Sequence, residues 1–252
     1  RGVVPRPRCS LTGMICTLLD CVPRLGAGSL ADAGKRRDFN AFYSCGMVIA
    51  MITEAALRRE HPEQSLYSFW QRLLERAHRQ GGMYTVELYF DLLREESGDP
   101  DLTNRLRGLA DTRLADPTAA VSELLRASGL PAELRRDGLP ASLQRKLGTE
   151  ALVQLMRSDC NGKHSLRSSA RFVELSGLPG CRTLREAIAV DRIGPYGLAT
   201  DGARAYDEAF ARCSQGEPVE LGLFGTRASV ALPCAPIAAR RPAIVLKDVL
   251  YP

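Results

Sequence analysis

Leu66-Tyr67-Ser68-Phe69-Trp70-Gln71-Arg72-Leu73-Leu74-Glu75-Arg76-Ala77 is the stretch on which the fold class turns. Leu66, Phe69, Trp70, Leu73, Leu74 and Ala77 fall at helical spacing, so a helix here lays one apolar stripe on one face. Gly81-Gly82 stops it. Upstream, Phe39 to Leu57 is apolar almost all round, with Asp38 as a cap, and reads as the buried central helix of the core. Its polar residues Asn40, Ser44, Thr53 and Glu54 leave an uninterrupted apolar run shorter than the roughly 18 to 20 residues of a membrane span. Downstream, helices are expected over Tyr84–Glu95, Leu102–Ala110 and, after Asp116-Pro117, Thr118–Ser128.

Gly-Leu-Pro occurs at Gly129, Gly138 and Gly177. Each copy suits a joint between helices: glycine takes the left-handed position after one helix and proline starts the next with its φ already set. Helices are accordingly expected over Ala141–Leu147, Thr149–Ser158, Ser165–Leu175, Thr183–Val190 and Gly202–Cys213. After Gly216 the apolar period changes to two. Val219, Leu221 and Leu223, then Ala228, Val230 and Leu232 around Gly225, read as a small hairpin, and Ala243–Leu250 as an extended segment in need of a pairing partner. The expectation is therefore a mainly α protein with three parts. Residues 1–37 form a Pro/Gly-rich basic arm with a short docking helix at Met14–Leu19, residues 38–215 a single helical domain, and residues 216–252 a C-terminal hairpin or extended arm.

With 252 residues, 45% hydrophobic and 25% charged, the composition is that of a globular protein and excludes a collagenous fibre, a disordered tail or a membrane bundle. Eight cysteines, Cys9, Cys16, Cys21, Cys45, Cys160, Cys181, Cys213 and Cys234, are scattered rather than clustered. They read as free thiols in a reducing compartment, cytoplasm or nucleus, or in a virion. No secretory leader is seen in the opening residues. Zinc spacing is absent, since Cys9, Cys16 and Cys21 have no histidine near, and Cys160, His164 and Cys181 lack a fourth ligand. No phosphate-loop or dinucleotide motif occurs. Neither a cofactor nor a metal is expected.

Charge is the sharper signal. There are 34 basic and 29 acidic side chains, a net of +5, and 30 of the bases are Arg. The Arg excess also fits a GC-rich coding sequence. Residues 1–37 carry seven bases against two acids, residues 84–133 a net of −5, and residues 163–192 a net of +3. Arg6, Arg8, Lys35, Arg36 and Arg37, with Arg167, Arg171, Arg182 and Arg185, are the candidate contacts to nucleic acid or to an acidic partner. Phe172 is the only aromatic residue within 163–192, which gives single-strand base stacking little support.

The segment Phe172-Val-Glu-Leu-Ser-Gly-Leu-Pro-Gly-Cys-Arg182-Thr-Leu-Arg-Glu-Ala-Ile188 resembles a helix-hairpin-helix element. That resemblance implies backbone N–H contacts to DNA phosphates, with Arg182 where the family usually has a second glycine. A third Gly-Leu-Pro joint is the reading preferred over it. Arms around a helical body suggest a non-enzymatic, self-assembling protein of viral coat or nucleocapsid type, packed against its own copies and able to bind nucleic acid non-specifically. One alternative is a helical adaptor that binds a protein partner through Tyr84–Glu95 or the groove beside Trp70. Another is an enzyme using Cys160 and His164; without it, no residue is expected to be catalytic.

Overall fold

Asp38 begins the central helix as expected, but its carboxylate pairs with Arg24 instead of capping the helix. That ion pair marks the first departure from an arm. The computed structural model describes residues 11–160, 165–176 and 180–246, with side chains from residue 18 onward. Within them, Leu11–Ala27 is a full helix, α1, whose Leu18, Cys21, Val22 and Leu25 are buried in the core. It packs on α2 (Phe39–Glu60), to which the Cys21–Cys45 disulfide bonds it.

Four more helices follow: α3 (Leu66–Arg79), α4 (Val86–Ser97), α5 (Pro100–Asp111) and α6 (Pro117–Ala127). Each starts on a side-chain cap that accepts a backbone N–H, from Ser65, Thr85, Asp99 and Asp116 in turn. The caps meet donors a helix cannot satisfy internally. Strand β1 (Ala132–Arg135) comes next, and β8 (Ala243–Leu246) pairs with it at the far end of the chain. The expected extended C-terminal segment thus finds its partner within the same chain.

Packing divides the chain into Arg1–Leu134 with Ala243–Pro252 (unit 1) and Arg135–Pro242 (unit 2). These divisions fall elsewhere than at the expected boundaries after residues 37 and 215. Unit 2 is an insertion between β1 and β8. It holds α7 (Ala141–Asp159), α8 (Gly202–Gln215) and an antiparallel sheet of order β2-β3-β4-β6-β7, with β5 (Tyr196–Gly197) paired to β4. The strands are β2 (Ser165–Ser168), β3 (Val173–Ser176), β4 (Ile188–Ile193), β6 (Val219–Leu223) and β7 (Ser229–Leu232).

The mainly α, single-domain expectation is corrected here: the described residues form eight helices and two sheets, an α and β mixture. The helices expected over Ser165–Leu175 and Thr183–Val190 are strands and loop. Val173 and Leu175 alternate inward with Glu174 and Ser176 outward, a two-residue period. Ser169 breaks the segment into a turn, its hydroxyl accepting the Phe172 N–H at 3.0 Å and donating to the Phe172 carbonyl at 2.8 Å. The helix-hairpin-helix resemblance falls with them, because both flanks are β-strands; Gly177 lies outside the described residues. Ala141–Leu147 and Thr149–Ser158 join into α7, and Gly129-Leu130-Pro131 leads into β1, so of the two Gly-Leu-Pro copies among the described residues only that at Gly138 precedes a helix.

The free-thiol reading is corrected as well. Cys21–Cys45, Cys160–Cys181 and Cys213–Cys234 are disulfides. They span 24, 21 and 21 residues, loops for which cross-linking removes about 3 kcal/mol of unfolded-chain entropy each. Such bonds point to an oxidising environment and away from the reducing compartment expected.

Candidate anion-binding cleft

Unit 2 has 16 basic and 11 acidic side chains, a net of +5, whereas unit 1 balances at 18 and 18. Counted by unit, the whole excess thus falls in the inserted unit, because the acidic 84–133 segment is counted with the basic residues before Asp38 and offsets them.

On unit 2, Arg145 from α7, Arg171 from the β2–β3 turn, and Asp191 and Arg192 from β4 line an open cleft of about 570 Å³ with Gly197 and Thr200. Arg192 is spent on the framework. Its guanidinium meets Asp191 at 3.1 Å and donates to the carbonyls of Thr226 and Ala228 at 3.4 and 3.2 Å, tying the β6–β7 turn to β4. Gly222 makes room for it, since a Cβ there would lie 2.2 Å from Arg192 Cγ. The Thr200 hydroxyl donates to Asp201 at 2.8 Å. Arg145 and Arg171 form no ion pair among the described residues and leave the cleft positive. Arg171 instead lies 5.5 Å from the centroid of the Phe224 ring.

The sequence-derived candidates are dispersed. Arg171 lines the cleft and Arg167 is exposed on β2, opposite Glu174 across the ladder. Arg182 and Arg185 are exposed in the loop before β4, where Arg182 donates to the Ser158 carbonyl at the end of α7. Lys35, Arg36 and Arg37 belong to unit 1. Lys35 pairs with Asp32 at 2.8 Å, holding the Asp32 carboxyl below its usual range, and Arg36 donates to the Ser29 carbonyl at 2.8 Å. Arg6 and Arg8 lie outside the described residues. Arg145, Arg192 and Phe224 carry no signal in the sequence, where nothing in their spacing links them to Arg171.

Asp159, Cys160 and Cys181 converge in the same unit, but as a metal site they do not fit. The two sulfurs are bonded to each other, and the Asp159 carboxylate accepts the Thr183 and Leu184 N–H groups at 3.0 and 3.2 Å. The disulfide also leaves Cys160 without the thiolate that the enzyme reading requires, and His164 lies outside the described residues.

Unit 1 bears a second feature. On α3, Trp70 and Leu74 of the stripe and Tyr67 beside it are 36%, 55% and 73% exposed, and Tyr84 beside α4 is 59% exposed. The Trp70 and Tyr84 rings meet edge to face at 6.0 Å. Only Phe69, Leu73 and Ala77 of α3 are buried, so the expected stripe is split between core and surface. On α2, Phe39, Phe42, Tyr43 and Met47 are also exposed. This helix is long and apolar enough to cross a membrane, yet eight of its residues are buried in unit 1. Comparison with family models, curated proteins and solved structures finds no match to this chain.

Proposed function

We propose that the protein is a non-enzymatic structural protein of nucleocapsid type, in which unit 2 binds nucleic acid through backbone phosphates and unit 1 carries the self-association surfaces. The observation that supports this reading is the charge: the +5 is carried by unit 2, where the cleft residues Arg145 and Arg171 are exposed. Cationic groups of this kind displace counterions from phosphates whatever the sequence. The sequence points to terminal arms for self-association. Support for it comes instead from the exposed apolar residues of α2, α3 and Tyr84, because α1 and β8 are consumed inside unit 1. Among the locations expected from the sequence, a virion accords best with three disulfides.

Fluorescence anisotropy with labelled RNA and DNA across a salt series tests the nucleic-acid part. The expected result is an affinity that falls linearly on a log–log plot with a slope set by a few phosphate contacts. Absence of binding at low salt would remove it. The adaptor reading remains the second, favoured by the exposed apolar Tyr67, Trp70, Leu74 and Tyr84 side chains. Light scattering on the purified protein separates the two: oligomers that dissociate with Trp70→Glu support assembly, and a monomer without nucleic-acid affinity supports the adaptor.

A further inference from the structure

Phe172 ends the β2–β3 turn and Phe224 begins the β6–β7 turn, yet the fold stacks them, with ring centroids 4.6 Å apart and planes inclined by 34°. The Phe224 N–H donates to the Ala189 carbonyl at 2.8 Å, which fixes that turn against β4. Neither ring is fully buried. Arg171 lies over Phe224 while lining the cleft, so a cationic and aromatic cluster joins the Phe172–Phe224 pair to the cationic cleft.

From this arrangement we infer that unit 2 holds a nucleotide subsite for single-stranded nucleic acid. A backbone phosphate sits between Arg145 and Arg171, and the adjoining base stacks on the Arg171, Phe224 and Phe172 surface. The inference rests on the nucleic-acid reading and deepens it by naming the strand type and the residues. Arginine supplies the phosphate contact as a planar donor fork, and its guanidinium plane and an aromatic ring each stack on a base. An acidic peptide would use the arginines but leave the aromatic pair idle. A duplex keeps its bases stacked on one another and out of reach. Arg192 takes no direct part, since Asp191 and two carbonyls already hold its guanidinium.

The test compares a fluorescein-labelled oligothymidylate with long-chain inorganic polyphosphate, which offers phosphates without bases. Phe224→Leu and Phe172→Leu are expected to weaken the oligothymidylate roughly tenfold, the order of one lost stacking contact, and to leave polyphosphate binding unchanged. Arg171→Ala is expected to weaken both ligands and to lower the salt slope by about one. A self-complementary duplex of the same length is expected to bind no better to wild type than to Phe224→Leu. Where a leucine variant loses its fold by near-ultraviolet circular dichroism, photocrosslinking of wild type with a 5-bromodeoxyuridine oligonucleotide replaces it, with adducts expected on peptides containing Phe172 or Phe224. Equal loss of both ligands, oligothymidylate binding untouched by the leucines, or adducts confined to other peptides would overturn the subsite and leave the broader reading standing. If neither polyphosphate nor oligothymidylate binds, the nucleic-acid reading itself falls.

Discussion

Asp99 stands at the start of α5 and serves two donors, the Leu102 N–H at 2.9 Å and the Arg59 guanidinium at 3.0 Å. The backbone donor, helped by Arg59, holds its carboxyl below the usual carboxylate range. The folded protein therefore binds this proton less tightly than the unfolded chain, where Asp titrates near about 3.9. The resulting stabilisation is present above that value and is lost as pH falls through the lower folded one. Asp99→Asn keeps an acceptor at the cap without the charge, so its stability deficit at neutral pH should close in acid. Urea midpoints of both proteins at about pH 7 and pH 2.5 measure this, and a deficit of the same size at both would assign the effect to cap geometry. Arg240 makes a different case. It is 8% exposed, meets Asp207 at 3.1 and 2.7 Å, and donates to the Arg136 carbonyl at 2.8 Å, joining the first and last segments of unit 2. Asp207 is half exposed, so truncation leaves a solvated carboxylate and one orphaned carbonyl. Arg240→Ala should cost about 2 kcal/mol in urea unfolding, most of which Asp207→Asn spares because the guanidinium keeps its carbonyl and an amide oxygen.

Where α7 and α8 cross, side chains are missing from both helices. A Cβ on Gly202 would lie 1.7 Å from the Gln144 carbonyl oxygen, and one on Gly148 would lie 2.4 Å from that of Leu198. Backbone cannot yield as a flexible side chain does, so Gly202→Ala should destabilise unit 2 by more than about 3 kcal/mol. Gly46, inside α2, has open space on its Cβ side, and a methyl group there would meet nothing within 4 Å. Gly46→Ala should instead stabilise unit 1 by roughly 0.8 kcal/mol, through helix propensity alone. Denaturant midpoints followed by circular dichroism decide both signs. The same contrast shows what can be read from the sequence. Helices α3 to α6 are legible because their apolar residues recur at helical spacing between explicit caps, Ser65, Thr85, Asp99 and Asp116. The strands β2 to β4 are not, since segments of four to six residues are too short to separate one period from the other. Their partners in the sheet are fixed by packing that no local pattern records, and the same holds for the cysteine pairs. The candidate site suffers most: Arg171 is visible as charge, but Phe224 reaches it only through the pairing of β4 with β6.

Charge counted along the chain places the basic excess in the first 37 residues; counted by packed unit, it falls in residues 135–242. Both counts are correct, and they differ because the acidic 84–133 segment shares a unit with the basic N-terminal residues. The second count groups the charges by unit. It makes the whole molecule a neutral helical unit interrupted by a basic one, and the interruption enters and leaves through the paired strands β1 and β8. A chain in which residues 136–242 are replaced by a flexible Gly/Ser linker tests this division. About ten such residues reach roughly 17 Å, enough to span a four-residue strand in either direction. Unit 1 keeps its own core, from Leu18 through Leu125 to Ile244, and the Cys21–Cys45 disulfide. The shortened protein should therefore unfold cooperatively and retain the oligomeric state of the parent, yet lose its affinity for oligothymidylate and polyphosphate at about 50 mM salt. Retained affinity would place the polyanion site on unit 1, with the basic residues before Asp38 as its source. Loss of both fold and affinity would show that the two units stabilise one another, and separate expression of residues 135–242 would then be the direct measure of where the binding lies.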